Sequence, residues 1–187
     1  MSTTTKPVDN GINLPAILEA RQMLTDAPEA GKFLWRASST WKNGTHTYSQ
    51  CEKFNAFGED HPHRQTYGID MDHPELFASE DNGATPIEIV MLGLAGCLTA
   101  GVASVAQMRD VQLRSVTATI EGDMDLLGVM GVDPEVRNGF SAVRVKFDID
   151  ADASPEDIEA IVAQSQKRSA VYDLMVNPTN VVVEVNK

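Results

Sequence analysis

A cysteine inside a run of small residues is the first feature of this sequence that could do chemistry. Cys97 stands within Gly93-Leu94-Ala95-Gly96-Cys97-Leu98-Thr99-Ala100-Gly101, where small neighbours let another backbone come close to the thiol. Cysteine is a nucleophile as its thiolate, which an electropositive and partly exposed setting favours; in apolar surroundings it is only a small hydrophobe. On the residues alone both readings stand. Cys97 lies eleven residues beyond Pro86, the first position of a predicted helix. That is too far to feel the positive helix N-terminus, so any activation must come from outside that helix. The other thiol, Cys51, falls in a predicted strand and reads as structural. His61-Pro62-His63, with Asp70, Asp72 and His73 after it, gathers side chains that could hold Zn²⁺ or Mn²⁺. Their spacing matches no ligand pattern, so surface loops are expected there, with no metal and no cofactor. Trp35 and Trp41 read as strand core and not as a base-stacking platform, because no basic stripe accompanies them.

The chain that must position these groups has 187 residues, 15 Lys+Arg against 27 Asp+Glu, and a net charge of −12. A surface this acidic argues against nucleic acid and anionic membranes as partners. Two cysteines cannot make a disulfide framework, and the first residues carry no apolar leader, so a cytoplasmic protein is expected. Residues 89–108 are twenty positions without a charge, long enough to cross a bilayer. The run is solitary, lacks flanking Lys/Arg anchors and is rich in Gly and Ala, with Glu88 at its start. A helix apolar on all sides and outside a membrane must be wrapped by protein, and that is the expectation here.

Local signals order the rest. Residues 1–12 read as a disordered start, and Asn13 as the cap of a short helix with Pro15 in its first turn. Phe33, Trp35, Ala37 and Trp41 fall on one face at period two, and Asn43-Gly44 is a hairpin signal of the type I′ kind. A third strand is expected around residues 65–71, and Thr85-Pro86 opens the long helix with Glu88 in its first turn, where a carboxylate suits the dipole. Val116, Ala118 and Ile120 alternate with polar neighbours, as do Val143, Val145, Phe147 and Ile149. Ser154-Pro155-Glu156-Asp157 starts another helix, and residues 179–185 are expected to close the chain as a strand. The order helix, three strands, helix, two strands, helix, strand defines an α+β domain with antiparallel sheet.

Thr85-Pro86-Ile87-Glu88-Ile89, the apolar run and Gly96-Cys97-Leu98-Thr99 resemble the core motif of the OsmC family, which includes the organic hydroperoxide resistance proteins. The Pro-to-Cys spacing of eleven is similar, and residues 165–185 resemble the family's second motif, a helix ending in Cys-Pro-Val followed by a last strand. The resemblance implies an N-terminal extension over residues 1–31 and an OsmC-like domain over 32–187. It also implies an intertwined homodimer in which two long central helices pack back to back, which accounts for the charge-free run and for Gly93, Gly96 and Gly101. The implied chemistry is thiol-dependent reduction of organic hydroperoxides, with Cys97 as the attacking thiol and Glu88 as the catalytic carboxylate. Ser169-Ala170-Val171 stands where the family has Cys-Pro-Val, so a hydroxyl replaces the resolving thiol. Ile87 occupies the position of the resistance proteins' glutamate, and Lys42 that of their activating arginine.

The expected function is therefore peroxide reduction or redox-stress protection through a single reactive cysteine, with an external thiol as reductant. The alternative is a non-catalytic homodimer that binds a small apolar or oxidised ligand at its interface.

Overall fold

The computed structural model describes residues 7–186. They fall into two compact units, one of residues 13–90 and one of residues 7–12 with 91–186.

In the first unit helix α1, Leu14–Asp26, starts where a cap and a proline coincide. The Asn13 side chain accepts the Ala16 N–H at 3.2 Å, and Pro15 sits in the first turn, where its missing N–H costs nothing. A 3₁₀ turn over Pro28–Gly31 leads to strands β1, Phe33–Trp35, and β2, Ser38–Asn43. Both pair antiparallel with β3, His46–Ala56, following one another along the same edge, while β4, Glu59–Met71, takes the other. The expected third strand thus begins earlier than residue 65 and continues the hairpin.

Both hairpin loops have two residues, and their chemistry differs from the sequence expectation. Asn43 pairs with His46, so the β2–β3 loop is Gly44-Thr45, and only Gly44 has a positive φ, +54°. The type I′ signature, with positive φ at both central positions, belongs instead to Phe57-Gly58 between β3 and β4, at +55° and +81°.

Trp35 and Trp41 are not core, for each is 68% exposed. Trp35 packs on Phe54 at 5.1 Å between ring centroids, and Phe33 on Phe57 at 5.8 Å. Every residue of β1 and β2 is exposed, so the period-two pattern here does not mark a buried face. Asp72, by contrast, is buried beyond the end of β4 and ties the following loop to the first hairpin. It accepts the Thr45 hydroxyl at 2.6 Å, the His73 N–H at 2.8 Å, and the Asn82 backbone and side-chain N–H groups at 3.1 and 2.8 Å. The Thr45 hydroxyl bond, opposed by burial and helped by the Asn82 and His73 bonds, holds this carboxyl well below the usual carboxylate range.

Helix α2, Pro86–Met108, runs into the second unit. There β5, Leu113–Asp123, and β6, Ala142–Ala151, form an antiparallel pair, with a single helical turn α3, Leu126–Val129, between them. Helix α4, Pro155–Arg168, is capped by Ser154, whose hydroxyl accepts the Asp157 N–H at 3.1 Å; α5, Ala170–Val176, follows. Val102, Val105 and Ala106 of α2 and Ile161 of α4 make the buried core, and Val116, Phe147 and Ile149 from the inward faces of the strands pack on it. Gly101 permits the close approach of α2 to α4, since a Cβ there would stand 2.2 Å from the Ser165 hydroxyl. That hydroxyl donates to the Leu98 carbonyl at 2.7 Å.

Two expectations fail at the chain ends. Residues 7–12 are fastened to this unit rather than disordered; residues 1–6 lie outside the described ones. The Asn10 amide mimics a peptide group, donating to the Val111 carbonyl at 2.8 Å and accepting the Leu113 N–H at 2.9 Å. Gln107 accepts the Asn10 N–H at 2.8 Å and Gln112 the Asp9 N–H at 3.0 Å. At the other end residues 177–186 form no strand. A strand needs a ladder partner, none pairs with this segment among the described residues, and Val181 and Val183 are 77% and 87% exposed.

Candidate functional site

Cys97 is half-buried on α2, and what faces its sulfur is the junction between α4 and α5. Ser169 makes that junction. Its backbone, at φ −77° and ψ 116°, leaves the helical region for one residue, ending α4 and capping α5. Its hydroxyl accepts the Tyr172 N–H at 3.1 Å and donates its own proton to the Cys97 Sγ at 3.1 Å. The side chain has little freedom to do otherwise, because Ser169 is 4% exposed. The backbone N–H groups of Val171 and Ala170 also favour the ionised sulfur.

Partial burial pushes the Cys97 thiol up, and the bonds from Ser169, Val171 and Ala170 together outweigh it, so its pKa lies below that of an ordinary thiol. The groups that lower the Cys97 pKa lie outside α2 and are uncharged. The sequence signal for them was the serine, which both ends and starts a helix; the backbone donors after it have no residue letter to announce them.

Glu88 has a defined local task. Its Oε2 accepts the Thr85 N–H at 2.8 Å and the Thr85 hydroxyl at 2.7 Å, and the Thr85 hydroxyl oxygen receives the Glu88 N–H at 3.3 Å. This reciprocal pair is a capping box. The two Thr85 bonds, hydroxyl first, hold the Glu88 carboxyl below its ordinary pKa against a smaller effect of burial. Nine residues along one helix amount to about 13.5 Å of rise and two and a half turns, so Glu88 and Cys97 of one chain do not meet.

The remaining candidates sit in the first unit. Lys42 places its Nζ 5.5 Å from the centroid of the Tyr48 ring, a cation–π distance. Cys51 is exposed on β3 and pairs across the ladder with Tyr67. His61 and His63 belong to β4 rather than to a loop and pack on Phe54, at 5.6 and 5.3 Å between centroids. Asp70 bonds to His46 at 2.7 Å, and Asp72 is already satisfied by protein donors. Among the described residues no group of three or more His, Cys, Asp or Glu side chains could hold a metal ion.

The OsmC-like protein family model matches residues 79–184, more than half of the 187-residue sequence, and the chain belongs to that family. The match includes Cys97 and Ser169. Among solved structures, an OsmC-like protein from Mycoplasma pneumoniae superposes with a TM-score of 0.58 at 14% identity, covering 75% of this chain and 86% of its own. An organic hydroperoxide resistance protein OsmC from Legionella pneumophila gives 0.53 at 17% identity, over 76% and 88% of the two chains. An OsmC-like protein from Vibrio cholerae gives 0.54 at 11% identity, over 74% and 91%. At these identities the likeness shows the fold. No curated protein matches the sequence significantly.

Proposed function

We propose that this protein reduces organic hydroperoxides with Cys97 as its single attacking thiol and an external small thiol as reductant. The observation that carries the reading is the Cys97 sulfur, accepting the Ser169 hydroxyl at 3.1 Å, in a family that contains hydroperoxide resistance proteins. The thiolate attacks the terminal oxygen of ROOH; the S–O bond forms as the O–O bond breaks, and the alkoxide takes a proton to leave as ROH. Cys97 is then a sulfenic acid. Ser169 offers no second sulfur, so one external thiol displaces water to give a mixed disulfide. A second thiol attacks that disulfide, releasing the oxidised reductant and the Cys97 thiol. Two free cysteines and no disulfide suit a reducing cytoplasm.

The working unit in this reading is a homodimer joined through α2. The helix is long and apolar enough to cross a membrane, yet only 28% of its apolar window is buried within the chain. Leu92 is 61% exposed, and a Cβ added at Gly93 or Gly96 would meet nothing within 4 Å. Small residues on an open apolar face allow a second copy of the helix to approach closely. Glu88 takes part only if dimerisation brings it to the other subunit's Cys97, where an ionised carboxylate accepts hydrogen bonds rather than supplying a proton.

Turnover tests the proposal. Cumene hydroperoxide should be consumed in the presence of dithiothreitol at a rate proportional to protein, and Cys97→Ser should reduce the rate to background while Cys51→Ser leaves it unchanged. Ser169, the departure from the two-thiol pattern, is also the observation that favours a ligand-binding protein. Consumption no faster than with Cys97→Ser would select that second reading.

A further inference from the structure

We propose that the corner between α2 and β5 is a peptide-binding site that reads an asparagine in an extended segment, and that residues 8–10 are its ligand, docked in cis and free to leave. The proposal stands apart from the reading of Cys97.

The corner is fixed by the rest of its own unit. Asp110 turns the chain out of α2 at φ +57°, a conformation aspartate tolerates, and the Val111 N–H returns to the Ala106 carbonyl at 3.0 Å. Val111 and Leu113 pack on the buried core. Toward residues 8–10 the corner is polar, presenting the Val111 carbonyl, the Leu113 N–H and the side-chain amides of Gln107 and Gln112.

The two glutamines grip the main chain of the segment from opposite edges. In an extended chain the N–H and C=O of one residue face one side, and the C=O before it and the N–H after it face the other. Gln112 takes both groups of Asp9, accepting its N–H at 3.0 Å and donating to its carbonyl at 3.1 Å. Gln107 takes the other edge, donating to the Val8 carbonyl at 3.1 Å and accepting the Asn10 N–H at 2.8 Å. Each side-chain amide stands in for a neighbouring strand, so this part of the grip does not depend on sequence.

Asn10 supplies the selectivity. Its amide donates to the Val111 carbonyl at 2.8 Å, and its oxygen accepts the Leu113 N–H at 2.9 Å and the Gln112 Nε2 at 3.0 Å. One short planar group has to carry a donor and an acceptor side by side. Aspartate lacks the donor and would set a charge against the Val111 carbonyl, and glutamine holds its amide one methylene farther out.

The segment can leave because little else holds it. None of residues 7–12 is buried, and Pro7 has no N–H to bond. Gly11, at φ +75°, turns the chain away, its N–H donating to the Asp9 carboxylate at 2.9 Å. A surface segment held by hydrogen bonds, with no buried apolar side chain, opens far more readily than the core.

The experiment is hydrogen exchange, followed by NMR on the full chain. In wild type the N–H groups of Asp9, Asn10 and Leu113 should be protected. Asn10→Ala removes the partner of Leu113 and leaves Gln112 in place opposite Asp9. If residues 8–10 dock as one ligand, exchange at Asp9 should quicken as well, by at least about tenfold, while Val102 and Val105 stay protected. A synthetic peptide of residues 7–12 at about millimolar concentration should restore protection at Leu113 of the Asn10→Ala chain. The same peptide with alanine in place of its asparagine should not. Unchanged exchange at Asp9, or two peptides that act alike on Leu113, would overturn the proposal. Lost protection at Val102 and Val105 would make the segment part of the fold and overturn it too.

Discussion

Ser169→Cys will change the oxidised product of this protein from a sulfenic acid to an intramolecular disulfide. The Ser169 Oγ is 3.1 Å from the Cys97 Sγ, and sulfur is larger than oxygen and carried on a longer bond to Cβ. A thiol at position 169 therefore lies against Cys97 before any oxidation and traps the sulfenic acid as it forms, with loss of water. The product is two hydrogens lighter than the reduced protein. The cross-link joins positions 72 residues apart, and in the chain-entropy account a loop of that size restricts the unfolded state by about 4 kcal/mol. Intact mass and thermal melting of the variant, with and without reductant, check both consequences. A variant that takes up oxygen and forms no bridge would mean that positions 97 and 169 do not adjoin in solution.

Gly96→Leu will separate the subunits without unfolding the chain. A Cβ at this position meets nothing within 4 Å, so a side chain there does not disturb the subunit, and leucine is the better helix former by about 1 kcal/mol. Across a close helix pair the same side chain holds the two backbones apart and forfeits the contacts that the glycine allowed. Sedimentation at micromolar concentration should give wild type near twice 20.3 kDa and shift Gly96→Leu toward monomer, with dimer affinity down at least about tenfold. Gly101→Ala is the contrast: its Cβ falls 2.2 Å from the Ser165 hydroxyl, so it should lower the stability of the subunit itself. A monomeric wild type, or a Gly96→Leu variant as dimeric as wild type, would contradict the α2 interface.

What could be read from the sequence follows from how local each signal is. Thr85-Pro86 and Glu88 announced the start of α2 because a capping box closes within four residues, and Ser154 announced α4 for the same reason. The alternation of Val143, Val145, Phe147 and Ile149 marked the inward face of β6, which the hydrophobic effect enforces residue by residue. Alternation does not say what covers a face, so Trp35 and Trp41 were given the wrong burial. The valines near the C-terminus have strand character, but a strand is defined by a partner outside the segment. The Asn10 clamp was illegible because its partners, Gln107 and Val111, lie 97 and 101 residues away. At the site, Cys97 was visible from its small neighbours and its motif, whereas its contact with Ser169 spans 72 residues.

The central claim is that Cys97 is a peroxide-reactive thiol that works without an internal partner. Its most direct test is the intact mass of the native, reduced protein after one equivalent of cumene hydroperoxide, with the modified residue located by fragmentation. The account predicts the addition of one oxygen, on Cys97, reversed by dithiothreitol and absent in Cys97→Ser. An unmodified protein, an oxygen located elsewhere, or the loss of two hydrogens through a Cys51–Cys97 bridge would contradict it.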